Sequence, residues 1–379
     1  MNVRGMKNTN FALFIFLLFS CTVYGQAAHP GKEFPQIIFL DQYIIPNGTV
    51  FEQTKVGGLS GIDYDARENR YFFMCDDRGE HNPPRFYTAR FFIDSNIISG
   101  FSFLSVDTLR KQDGSIYHIQ DAIDPEDLRY NARLNQVVWV SEGERIENAK
   151  QKLLVNPSVN VADSNGKLIY ALALPPQFQV TTPGIGPRRN TAFEGLSFYN
   201  DDKNLFVSSE GPLYPDGELA DVEDKEYWCR IIRYDMQPGK QLAQYAYPLS
   251  PVVDKPFPAT AFRVNGIAAI LALGQDELLV LERSYSTGKL NMSIRLYYVN
   301  VKGATDIKDN NSLRAKPAKK PLQKKLIFDF ASLHIPIDNI EGFCFGPRLP
   351  NGHRSLLFIS DNNFNFFQRS QLLLFDAGE

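Results

Sequence analysis

The stretch FEGLSFYNDDKNLFVSSEG, Phe193 to Gly211, decides the fold. It reads as an apolar strand opening on an acid, a short polar turn, a second apolar strand and a further acid in a polar loop. The phrase recurs four more times, as GGLSGIDYDARENRYFFMCDD (Gly57 to Asp77), DPEDLRYNARLNQVVWVSEGE (Asp124 to Glu144), NGIAAILALGQDELLVLER (Asn265 to Arg283) and IEGFCFGPRLPNGHRSLLFISDN (Ile340 to Asn362). The copies stand about 70 residues apart, a repeat long enough for a looped supersecondary unit.

Strand-like runs with alternating or β-branched character follow the copies: Phe86 to Ile93, Gly100 to Thr108, Lys167 to Leu174, Arg230 to Tyr234, Gln241 to Tyr247, Arg295 to Val301 and Lys325 to Phe330. About four strands per repeat is the blade of a propeller. No segment beyond the leader shows a helical period with caps. After the last phrase only Gln371 to Phe375 remains, so the early strand Gln36 to Ile45 is expected to complete that blade. The expectation is an all-β chain forming a single β-propeller, with five blades, or six if one copy has diverged. With no Pro/Ser linker to divide it, one domain is expected from Lys32 to Glu379. Lys302 to Lys325, rich in Lys and Arg, reads as a solvated excursion between outer strands.

Arg4 and Lys7 precede the uncharged run FALFIFLLFS, Phe11 to Ser20, in the order of a secretory signal. The run is too short to span a bilayer. Cleavage after Gly25 is expected, giving a signal peptide over 1–25 and an exported, periplasmic or extracellular protein without a transmembrane span; Leu18 to Cys21 is an imperfect lipoprotein box that would instead anchor the chain through Cys21. Without the leader, Cys75, Cys229 and Cys344 are too few for a disulfide framework. A 44% hydrophobic content supplies a core instead, and a net charge of -3 excludes nucleic acid as an expected partner. Nothing calls for a second copy, so a monomer is expected.

In a propeller blade the first strand lines the channel and the second runs antiparallel to it, so the start of one and the end of the other share a face. Aligning the phrases puts Ser60, Glu126, Glu194, Asn265 and Glu341 at the first position, and Asp76, Glu142, Glu210, Glu282 and Asp361 at the second. Carboxylates repeated around a ring would repel and shift upward in pKa unless cations neutralise them. Calcium, with six to eight oxygen ligands in flexible geometry, suits acids supplied by separate blades. No two histidines have zinc-ligand spacing. Long loops fall on the acidic face, and Arg78, Arg145 and Arg283 each follow a second-strand acid closely, while Arg188 and Arg189 precede Glu194. Guanidinium groups beside a metal suit an anionic, oxygen-rich substrate. The acidic loop Asp216 to Glu226 reads as solvated.

GGLSGIDYD, DPEDL, AFEGLSF with LFVSSEGPL, and IEGFCFG with LLFISDNNF together resemble the secreted phytase-like domain family, the esterase-like phytase proteins, over nearly all the mature chain. The resemblance implies a propeller and, through similarity to calcium-dependent propeller phytases, hydrolysis of phosphate esters. Glu126, Glu194 and Glu341 match the glutamate of the family's Glu-Gly phrase; Glu210 and Asp361 match its post-strand acid. The departures are Ser60 and Asn265 in place of glutamate, and Glu126-Asp127 in place of Glu-Gly.

The expected function is therefore metal-assisted hydrolysis of a small anionic substrate, a phosphate ester. Calcium would be held by Glu126, Glu194, Glu210, Glu341 and Asp361, with Arg78, Arg145, Arg189, Arg283 and Asn265 around the substrate. No G-x-S-x-G occurs, which disfavours a serine nucleophile. Two alternatives stand: a calcium-dependent lactonase or carboxylic ester hydrolase with Asn265 as a ligand, and a non-catalytic propeller binding a ligand or protein through the long-loop face.

Overall fold

The second strand of each phrase is a near-continuous apolar run, as in Val137 to Val140, Leu278 to Leu281 and Leu356 to Ile359, and every one of these side chains is buried. A strand apolar on both faces has to be covered on both. In a computed structural model, which describes Met1 and residues 35–378 apart from 182, 183 and 238, sheets on either side meet that requirement. The leader, with the expected cleavage after Gly25 and the alternative at Cys21, lies outside the described residues.

Five four-stranded antiparallel sheets follow one another along the chain. Blade 1 comprises Leu59–Asp65, Arg70–Cys75, Arg85–Asp94 and Ile97–Thr108; blade 2, Pro125–Asn131, Gln136–Ser141, Ser158–Asp163 and Leu168–Ala171. Blade 3 comprises Phe193–Tyr199, Asn204–Ser209, Tyr227–Asp235 and Lys240–Leu249; blade 4, Arg263–Ala272, Glu277–Ser286, Ser293–Asn300 and Gln323–Asp329. Blade 5 takes Asn339–Arg348, Arg354–Asp361 and Ser370–Asp376, and Ile38–Ile45 completes it, pairing Ile38 with Asp376 and Ile45 with Ser370. Each first strand contacts the first strands of the next and previous blades, and blade 5 returns to blade 1, so the sheets form a ring. The five-bladed propeller expected from the repeats is the observed fold, closed by the N-terminal strand.

One apolar layer fills each interface: Leu59, Phe73, Leu357 and Leu374 between blades 5 and 1, Phe72, Leu128 and Trp139 between 1 and 2, Val140, Leu196 and Ile232 between 2 and 3, and Ile231, Tyr247, Ile267 and Val280 between 3 and 4. Between blades 4 and 5 the layer is aromatic, with Phe330 against Phe358 and Phe375. Cys75, Cys229 and Cys344 are buried free thiols. Short 3-10 turns, Ile119–Asp121, Pro176–Phe178 and Phe330–Leu333, are the helical elements among the described residues, and no helix there is long and apolar enough to cross a membrane.

Three details depart from the sequence reading. Ser158–Asp163, with its Asn160 and Asp163, is a third strand in blade 2 that the alternation left unassigned. The basic excursion is not simply solvated: its Ile307 and Leu313 are buried against Ala246, and its backbone bonds to Gln244 and Ala246 cover the outer edge of blade 3. Asp216 of the acidic loop is buried, bound through two oxygens to Arg230 at 2.6 and 2.8 Å.

The axis itself is held by a buried ion pair. Arg129 meets Asp127 at 2.8 Å and donates to the carbonyls of Ile62 in blade 1, Leu128 in its own blade, Ile270 in blade 4 and Phe343 in blade 5. Asp127 accepts from the Leu196 N–H of blade 3 at 3.1 Å, so the pair touches every blade. Burial lifts the Asp127 carboxyl to about 6 against the lowering effect of Arg129. Arg129→Met removes the partner and leaves that carboxyl in a dry site; destabilisation of about 3–5 kcal/mol is expected. Urea unfolding of the variant and wild type at pH 7.5 measures it, and a change within about 0.5 kcal/mol, typical of a surface substitution, would refute it.

Candidate metal centre

The first strands are not regular where the acids stand. In blades 1, 2, 3 and 5 the pairing of first to second strand slips at Ser60, Glu126-Asp127, Glu194-Gly195 and Glu341. A bulge re-aims a side chain, and here it falls on the glutamates that three blades share. The glycine after each acid has its own reason: a Cβ on Gly195 would lie 2.8 Å from the Ile270 nitrogen and 2.9 Å from the Ala269 Cα, and one on Gly342 would lie 2.5 Å from the Ser60 oxygen. Adjacent first strands approach backbone to backbone, leaving no room for a side chain. Blade 2 places Asp127 at that position, where it serves the Arg129 pair.

The register corrects one row of the sequence alignment. In blade 4 the slip lies between Ile267 and Ala269, and Ile267 pairs with Glu282 while Gly266 pairs with Arg283. Ala268 therefore occupies the place of the shared glutamate, and Arg283 the place of the second-strand acid. Asn265 and Glu282, aligned to those places by sequence, stand elsewhere: Asn265 donates to the Ser250 carbonyl at 2.8 Å and to Glu282 at 3.2 Å, and Glu282 accepts from Tyr247 and Lys324. Blade 4 contributes a cation to the ring, not a carboxylate.

The ring lies in a cavity of about 880 Å³ whose lining includes Asp76, Arg78, Glu126, Glu142, Glu194, Glu210, Arg283 and Glu341. Two groups of three acids have oxygens within 4.8 Å of one another: Asp76, Asp124 and Glu126, and Glu142, Glu194 and Glu210. Asp124 opens the second phrase, but the repeat does not single it out: the aligned residues of the other copies are Gly58, Ala192, Arg263 and Asn339. Both its oxygens are buried without a hydrogen bond, although Arg78 stands 2.5 Å away as an ion pair. Glu341 accepts from Asn339 at 2.9 Å and from Arg283, and Asp361, buried beside it, accepts from the Asn363 N–H at 2.8 Å.

Of the arginines expected near a substrate, Arg78 and Arg283 line the cavity, but both are engaged. Arg78 faces Asp124, while Arg283 donates to Glu210 at 2.9 Å, to Asn339 at 2.7 Å and to Glu341. Arg189 sits at the surface in a two-pronged bond to Glu144, at 2.8 and 2.9 Å. Arg145 binds Glu147 at 2.6 Å and the Thr181 and Ile185 carbonyls, away from the cavity. The structure thus gathers Glu126, Glu194, Glu210, Glu341 and Asp361 with Arg78 and Arg283, and leaves Arg145, Arg189 and Asn265 apart.

Burial pushes the carboxyls of Asp76, Glu126, Glu142, Glu194, Glu210, Glu341 and Asp361 up from their ordinary range. Neighbouring acids add to the effect for each, as Asp76 does for Glu126 and Glu210 does for Glu194. Asp124 is lifted to about 7, by burial first, opposed by Arg78 and reinforced by Glu142. These groups have the composition of a site for a hard cation: oxygen donors alone, several without a hydrogen-bond donor, and more negative charge than two guanidinium groups neutralise.

This axial acidic centre on a five-bladed propeller defines a class, and sequence comparison specifies it. The chain belongs to the phytase-like family described as "esterase-like activity of phytase", whose model matches residues 54–364. It is 27% identical over 143 residues to an uncharacterized secreted protein of Arthroderma benhamiae, a match covering 35% of this chain and 28% of that protein's length. Among solved structures, the periplasmic gluconolactonase of Pseudomonas aeruginosa is similar at 13% identity over 86% of this chain and 90% of that one, with a TM-score of 0.37. A gluconolactonase of Xanthomonas campestris is similar at 13% identity over 83% and 71%, with a TM-score of 0.33.

The raised carboxyls set a sign for pH dependence. A carboxyl whose pKa is higher folded than unfolded stabilises the fold below its unfolded value and loses that contribution as pH rises through the folded one. With Asp124 at about 7 and its neighbours also raised, protein stripped with chelator should melt at progressively lower temperature as pH goes from 5 to 8. Saturating calcium should flatten that slope, because a cation bound to the folded state alone adds about 2.7 kcal/mol at a hundred times its Kd. Calorimetry across pH with and without calcium measures both, and superimposable curves would refute the expectation.

Proposed function

We propose that the protein is an exported, calcium-dependent hydrolase of phosphate esters. The observation that supports this most is the convergence of two carboxylate trios, Asp76/Asp124/Glu126 and Glu142/Glu194/Glu210, of which all but the buried Asp124 line one cavity. Glu341 and Asp361 adjoin them and extend the donor set. A cation held there would neutralise phosphoryl oxygens and lower the pKa of a bound water.

The chain's own residues supply the frame. Arg283 fixes Glu210 and Glu341 relative to each other, and the Asn339 amide donates to the same Glu341 oxygen. The Ala192 N–H holds Glu142, leaving Glu126 and Glu194 facing mainly other acids, with oxygens available for a cation. Family membership supports a hydrolytic reading, since its description names an esterase-like activity. A lactonase with Asn265 as ligand finds less support, because that amide is committed to Ser250 and Glu282.

In a phosphatase and esterase panel with added calcium, wild type should turn over phosphate monoesters, and chelator should abolish this. Glu194→Gln should lose more than the roughly 10–100-fold typical of a residue behind the ligands. Turnover that chelator leaves unchanged would overturn the metal-dependent reading. For export, the observation is the charged, apolar and small-residue order of the leader. Mass spectrometry of the exported protein should find Gln26 at its N-terminus, and a lipid-modified Cys21 would replace that proposal with a lipoprotein.

A further inference from the structure

The cavity is not acidic all round. Its acids come from blades 1, 2, 3 and 5, but one wall, built by the blade 4 hairpin and the loops of blades 4 and 5, carries Phe262, Tyr285, Leu290, Met292, Ile337 and Phe367. Phe262 is 66% exposed and Phe367 88%, and Leu290 is fully exposed. The loops that present these side chains are tied down by hydrogen bonds: Thr287 donates to the Phe262 carbonyl at 2.9 and 3.0 Å, Asn365 accepts from the Phe367 N–H at 3.0 Å, and Asn47 donates to the Phe366 and Gln368 carbonyls at 2.9 Å. Single exposed apolar residues are ordinary, whereas several on one wall of a polar cavity provide contact area for a ligand.

The charges limit what that ligand can be. The cations nearest the acids are already matched, Arg78 by Asp124 and Arg283 by Glu210 and Glu341; Lys289 pairs with Asp254 at 3.3 Å, and Arg369, whose backbone N–H donates to Asp338, adds one further guanidinium to the lining. Two divalent ions added to Arg78, Arg283 and Arg369 would still not outweigh Asp76, Asp124, Glu126, Glu142, Glu194, Glu210, Glu341 and Asp361. A substrate with many phosphates would place most of them against uncompensated acids, and like charges at short range in a partly desolvated site repel strongly. An apolar group laid on the wall would gain from leaving water.

We infer that the cavity selects esters with one anionic centre, placed at the cations, and an apolar group of aromatic size, placed on the Phe262–Phe367 wall, and that it disfavours polyphosphorylated molecules. The inference rests on the metal-assisted reading for the position of the anionic centre.

The test is calorimetric titration of the calcium-loaded protein with naphthylphosphonate, methylphosphonate and an inositol trisphosphate, none of which needs turnover to be read. Naphthylphosphonate should bind at least about tenfold tighter than the other two, and Phe262→Ala with Phe367→Ala should remove about that factor while methylphosphonate, too small to reach the wall, changes little. Equal affinities, unchanged binding in the double variant, or no binding of any of the three overturns the inference. Naphthyl phosphate turnover is followed in parallel. Preference in binding without turnover sinks the hydrolase and upholds the wall, and turnover without preference does the reverse.

Discussion

The structure depends on the Asp127–Arg129 pair at the propeller axis. Closing five sheets into a ring brings their first strands together, and the carbonyls pointing inward below the acids need donors that no neighbouring strand supplies. One guanidinium, with its fixed fork of N–H groups, meets carbonyls from four blades at 2.6 to 3.3 Å. Its charge is balanced by an aspartate bonded to blade 3, the one blade the guanidinium does not reach. The Glu-Gly phrase gives way to Glu126-Asp127 in blade 2 for this purpose, so what looks like a degenerate repeat is the copy that holds the others together.

Above that pair the same geometry works against stability. Bulges at Glu126, Glu194 and Glu341 aim acids inward, and the second strands end on more of them. A purely structural ring has no need to crowd carboxylates where burial raises all their pKa values. Such strain persists at sites where it serves a function, and Arg283 relieves only part of it. A bound hard cation would turn the crowding from a cost into a source of affinity.

Fold and site were unequally legible in the sequence. Buried second strands write themselves as apolar runs, so five copies, five blades and the closing strand could be read directly. Ser158–Asp163 could not, because its asparagine and aspartate break the apolar pattern and the strand is held by pairing to Gln136–Ser141 and Leu168–Ala171. Glu126, Glu194 and Glu341 were legible because a repeated position implies a repeated direction. Blade 4 was misaligned because its bulge carries alanine in place of the glutamate-glycine pair, and register there is visible only in hydrogen bonds. Arg145 follows one acid of the ring in sequence and Arg189 precedes another, but side-chain reach and competing partners decide where their charges go.

The position of Arg129 also determines traffic. Arg129 follows Glu126 by three residues on the same first strand and bonds across to carbonyls of blades 1, 4 and 5, so its guanidinium fills the axis next to the acids. A ligand reaching the acids from the strand starts would meet that filled axis and withdraw by the side from which it came. If the site hydrolyses esters as proposed, the departing alcohol and the next ester would share one passage, and release of an apolar product would join the breaking of the bond in setting how fast the site empties.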